Sequence, residues 1–117
     1  MTAVPTHQPI FLCTTPTDMR KSFCGLTGIV RQAFGREPTD GSLFLFVNRK
    51  RDSIKILYWD RDGLAIWYKR LEAGTFEQLR AAGDEPALQI DATQLAMILG
   101  GVSLQSAQRR KRFQQVA

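Results

Sequence analysis

One histidine and two cysteines in 117 residues leave little from which to build a reactive centre. A zinc site needs four nitrogen or sulfur ligands, or three and an open position, and His7, Cys13 and Cys24 lack the close paired spacing such sites show. A nucleophile–histidine machine would have to run through His7, which sits in the polar leader Thr6-His7-Gln8. No catalytic residue, metal or cofactor is therefore expected. Cys13 and Cys24 both lie in apolar contexts and are expected to be small buried hydrophobes in a reducing, cytoplasmic compartment. Long apolar runs are missing too. The N-terminal stretch has no basic start, and the run Ile10 to Cys13 is far too short for a signal or a membrane span, so no membrane partner is expected.

What the chain does have is enough apolar residue, 44%, for one core, and a surplus of positive charge, 16 Lys and Arg against 11 Asp and Glu. The surplus is not spread evenly. Residues 1–48 carry four basic and three acidic groups, residues 49–70 seven and three, and residues 71–117 five and five. Partners of opposite sign, polyanions above all, are expected at residues 49–70.

Local patterns divide the chain into elements. Ile10 to Cys13 reads as a buried strand. Met19, Phe23, Leu26, Val30 and Phe34 step by three or four, predicting one long helix over 18–34 with Thr17 or Asp18 as its cap and Gly35 as its stop. Three β-rich runs follow, Leu43–Val47, Ile54–Trp59 and Leu64–Leu71, joined by a basic loop and by the tight turn Asp60-Arg61-Asp62-Gly63. They predict an antiparallel meander with the helix on one face and a second face partly covered or used. Residues 72–86 read as a crossing loop with a helical turn at Phe76–Leu79. Leu88–Ile90 then reads as an edge strand, and Asp91 with Gln94 as the capping box of a short helix ending at Gly100-Gly101. The fold class is α+β: a flexible leader over 1–9, a single domain over 10–102, and a basic tail or helix over 103–117.

Two basic clusters stand out. Arg49, Lys50 and Arg51 share a hairpin tip, with Lys55, Lys69 and Arg70 on the same sheet, and Arg109, Arg110, Lys111 and Arg112 form a run near the end. All ten are candidate phosphate contacts for DNA, since lysine and arginine release the counterions of the nucleic-acid backbone. The acids Asp60 and Asp62 are better explained as turn formers than as magnesium ligands of a nuclease, which stays as the enzymatic alternative.

Several motifs in order carry a family resemblance. Asp18-Met19-Arg20-Lys21, then Asn48-Arg49-Lys50-Arg51-Asp52 leading to Trp59-Asp60, then Asp62-Gly63-Leu64 and Trp67-Tyr68-Lys69-Arg70 resemble the second open reading frame of the insertion-sequence-66 family, over roughly residues 10–113. Cys24 and Glu77-Gln78 depart from that pattern, where an acidic residue and an aromatic-proline pair are usual. The resemblance implies a small non-catalytic accessory protein of a bacterial insertion sequence. It would assist DNA transposition by binding the element's DNA ends, the transposase of the same element, or both, with self-association as a further possibility. A pure protein–protein adaptor or dimerisation module without DNA binding is the alternative within binding proteins.

Overall fold

The architecture, taken from a computed structural model that describes residues 8–80, 83–104 and 111–113, is a five-stranded sheet with a helix on each face. In chain order the elements are β1 (Ile10–Cys13), α1 (Phe23–Ala33), β2 (Leu43–Val47), β3 (Ser53–Asp60), β4 (Gly63–Arg70), β5 (Ala87–Ile90) and α2 (Ala92–Gly100). The strands lie side by side as β4-β3-β2-β1-β5. The sheet is mixed, which corrects the expected antiparallel meander. β2, β3 and β4 do form antiparallel hairpins, but β1 lies parallel to β2, with Phe11 opposite Phe44, and antiparallel to β5. The cause is α1: a helix between two strands carries the chain back to where it began, and the second strand then runs in the direction of the first.

Strand alternation sorts the core into two layers. Phe11, Cys13, Phe44, Phe46 and Leu57 point to one face, where Leu26 and Val30 of α1 cover them. Phe34, just past α1, stacks on Phe46 with ring centroids 6.0 Å apart. Ile10, Leu12, Leu43, Leu45, Ile54 and Ile56 point to the other face, under Leu95 and Ile98 of α2 and the ring of Phe76. Each fully buried side chain of this size contributes roughly 1.5–3 kcal/mol. The second face is thus closed by α2 and the Phe76 segment. That segment has no helical turn, contrary to expectation; the Phe76 N–H instead donates to the Arg51 carbonyl at 2.6 Å, pinning the crossing loop to the hairpin tip.

The helices differ in how well local rules describe them. α2 has the expected capping box, with Asp91 accepting from the Gln94 N–H at 2.7 Å and Gln94 from the Asp91 N–H at 2.9 Å, and it ends on Gly101 at φ 82°. α1 is eleven residues, not the single long helix over 18–34, and its cap position is Ser22, not Thr17 or Asp18. Two interactions hold residues 18–22 out of the helix. The Asp18 carboxylate accepts from the Arg20 N–H at 2.9 Å, a local turn that competes with helix. The Lys55 ammonium, from the sheet, donates to the Met19 and Lys21 carbonyls at 2.7 Å each. A helix that began at residue 18 would instead direct those two carbonyls at the N–H groups of residues 23 and 25. Cys13 is buried, with its thiol pKa pushed up by burial, while Cys24 is exposed on α1, which corrects its expected burial.

Candidate nucleic-acid interface

Asn48 organises the hairpin tip between β2 and β3. Its side-chain carbonyl accepts from the N–H groups of Asp52 and Ser53 at 3.1 Å each, and its amide donates to the Asp52 carboxylate at 2.7 Å. Its backbone carbonyl takes the Arg51 N–H, closing a turn in which Arg51 adopts φ 60°. With the turn satisfied from inside, Arg49 and Lys50 stand exposed and take part in no salt bridge among the described residues. The Asn48 bond, foremost, holds the Asp52 carboxyl below the usual carboxylate range.

Beside the tip lies a groove of about 560 Å³, lined by Asp18, Met19, Arg49, Lys50, Tyr68 and Arg70 among others. Three stretches far apart in the chain meet there: the turn before α1, the hairpin tip and the end of β4. The Arg20 guanidinium and N–H bind the Asp18 carboxylate, at 2.7 Å for the closest nitrogen, and hold its pKa down to about 2. Both groove carboxylates, Asp18 and Asp52, are therefore tied to local donors, while Arg49, Lys50 and Arg70 face solvent. Tyr68 is 52% exposed, with the Lys55 ammonium 4.8 Å from its ring centre.

Not every candidate cation lies in this place. Lys55 is 8% exposed and spent on the two carbonyls and the Tyr68 ring, so it is a structural lysine rather than a surface one. Arg51 turns away to Gln78, donating to its side-chain carbonyl at 3.0 Å. Lys69 alternates to the α2 face of β4, opposite Ile54. Lys111 is exposed, but Arg112 folds inward: its guanidinium donates to the Thr75 carbonyl at 2.9 Å and the Ile98 carbonyl at 3.3 Å, and lies 5.3 Å from the Phe76 ring centre. Arg109 and Arg110, like His7, lie outside the described residues.

The remaining motif residues are placed as follows. Lys21 supplies a carbonyl to Lys55, and Trp59 is a partly exposed ring on the α1 face, across from Leu64. Asp60, Asp62 and Gly63 form the β3–β4 turn, where Arg61, not Gly63, takes the positive φ. Among the described residues no three His, Cys, Asp or Glu side chains gather as a metal site would require, and no helix is long and apolar enough to cross a membrane.

Sequence reasoning missed Glu77, whose buried carboxylate accepts from the Ser103 hydroxyl at 2.8 Å and the Leu104 N–H at 2.7 Å. It also missed the seat of Arg112, for which Gly74 was the available signal. Gly74 has φ 82°, and a Cβ there would run into the Lys111 carbonyl.

Residues 8–109 match the family described as IS66 Orf2 like protein. The chain is 33% identical over 93 residues to the uncharacterized protein y4hO of Sinorhizobium fredii, covering 80% of this chain and 79% of the relative. It is 28% identical over 101 residues to the uncharacterized protein y4jC of the same organism, covering 86% and 85%. No solved structure matches the chain.

Proposed function

The chain belongs to the IS66 Orf2 like family, and from that premise we propose that it is a non-catalytic accessory protein of an insertion sequence that aids transposition by gripping the phosphate backbone of element DNA. The observation that carries this reading is the groove, because it gathers Arg49, Lys50 and Arg70 from separate segments around one exposed ring while its two carboxylates are already bound by donors. Such a surface attracts phosphate with little desolvation of its own acids, and Tyr68 offers an apolar contact beside it. Among the ten candidate cations, Arg49, Lys50 and Arg70 are the proposed contacts.

Binding of element-end DNA measured across a salt series tests the reading. Three phosphate contacts give a log–log slope of about −2.7, at about −0.9 each, and replacing the three cations with glutamate flattens it. No binding at low salt would reject DNA as the ligand. The adaptor reading is supported by the exposed rings of Trp59 and Tyr68, which suit a protein partner such as the transposase. Retention of the transposase after nuclease treatment would favour it. No observation favours a nuclease at Asp60 and Asp62, which are the last residue of β3 and the second residue of the tight turn that follows it.

A further inference from the structure

We propose that β4 is the seam of a symmetric dimer, in which the β4 strands of two copies of this chain pair antiparallel about Ile66 and join their sheets into one. β4 is the last strand of the sheet and pairs, among the described residues, with β3 alone. It runs eight residues without a proline, and its register to β3 is continuous from Gly63 to Arg70. An edge of that length leaves a row of backbone donors and acceptors open to another strand.

The open groups can be assigned. The Leu71 N–H donates to the Asp52 carbonyl, so that pair is hydrogen-bonded. Antiparallel ladders alternate, which makes 54/69, 56/67, 58/65 and 60/63 the bonded pairs. Leu64, Ile66, Tyr68 and Arg70 therefore turn their N–H and C=O outward. Two-fold pairing must set outward residues opposite outward residues, so it centres on a residue, and Ile66 and Trp67 are the two centres that overlap most of β4.

Charge chooses between these. Centred on Trp67, Asp62 falls opposite Glu72 of the second copy. Centred on Ile66, it falls opposite Arg70, with Gly63 opposite Lys69 and Leu64 opposite Tyr68, whose ring is half exposed in the single chain. The turn end of the strand is acidic, Asp60 and Asp62 against Arg61, and the far end is basic. Lys69 and Arg70 alone would blunt an edge against pairing. An acidic opposite end converts the same charges into a match for an antiparallel copy. The seam shares Tyr68 and Arg70 with the groove, but the proposal rests on the edge and its ends and is tested without DNA, so its failure is distinguishable from that of the DNA reading.

Sedimentation of the full chain from about 1 to about 100 µM tests it. A concentration-dependent dimer is expected. Asp62→Arg, in an exposed turn, is expected to raise the dimer dissociation constant about tenfold, since the symmetry breaks two such pairs at once. In a Cys24→Ser background, Ile66→Cys is expected to form an intermolecular disulfide on mild oxidation, because a bonded antiparallel pair sets its Cα atoms ~5.5 Å apart. Circular dichroism confirms that each variant is folded. A chain that stays monomeric throughout overturns the proposal. So does a dimer that Asp62→Arg leaves unchanged, or a folded Ile66→Cys chain that gives no cross-link.

Discussion

The hairpin tip at Arg49-Lys50-Arg51 and the run ending at Lys111-Arg112 are the two basic clusters of the sequence, yet they meet opposite demands in the fold. At the tip, Asn48 satisfies the turn's N–H groups, so two of the three cations are left to solvent. Near the chain's end, the demand comes from the fold itself: the last turn of α2 offers the Ile98 carbonyl and the crossing loop offers the Thr75 carbonyl, and Arg112 donates to both. A helix C-terminus is a cation site in its own right. The contrast teaches that a cluster of charge becomes an interface only where neighbouring backbone groups do not require it.

Substitution should separate the two regions. The largest effect on stability is expected from Arg112→Ala, which removes charged hydrogen bonds to two carbonyls and the contact with Phe76, at about 2–3 kcal/mol in urea unfolding. DNA affinity of the folded protein should stay within about twofold, since this side chain lies outside the groove. The double change Arg49→Glu and Lys50→Glu should do the reverse. It should weaken DNA binding about 30-fold at low salt and shift stability by no more than about 0.5 kcal/mol. Equal effects of the tip and Arg112 changes on both measurements would erase the distinction.

Asn48→Ala should fall between them. Losing the tip's organising hydrogen bonds is expected to cost about 1–2 kcal/mol and to loosen the placement of Arg49 and Lys50, with a smaller loss of DNA affinity than the double change. The smallest effect should come from Asp18. Its folded pKa is lowered from 3.8 to about 2, foremost by the Arg20 hydrogen bond, so its contribution is present above about pH 4 and fades as pH falls toward 2. In Asp18→Asn the melting temperature should lack this small part of the acid-side decline. An identical decline in both proteins would show that the pair with Arg20 contributes nothing to stability.

Features set by near neighbours were legible in the chain. The Asp91–Gln94 box of α2, the strand periods of β2, β3 and β4 and the stretch of β1 all follow from residues within a few positions of one another. Features set at long range were not. The start of α1 depends on Lys55, more than thirty residues away, taking two carbonyls that local periodicity assigns to the helix. The exposure of Cys24 follows from which side of α1 meets the sheet, and the parallel placement of β1 from the path of the crossover. The site shows the same division. Arg49 and Lys50 were visible as a loop cluster, but their meeting with Asp18, Tyr68 and Arg70 is tertiary, and the inward turns of Arg51, Lys55 and Arg112 answer partners that no local motif names.

The seat of Arg112 also fixes an order of events during synthesis. Its hydrogen bonds to Thr75 and Ile98 span 37 and 14 residues, so the crossing loop and α2 are made before the side chain that joins them. Until then the nascent chain lacks the guanidinium that joins these two carbonyls beside the Phe76 ring. A chain interrupted after α2 keeps the five strands and two helices of the described residues yet lacks this clasp, and is expected to be cleaved more readily than the full chain.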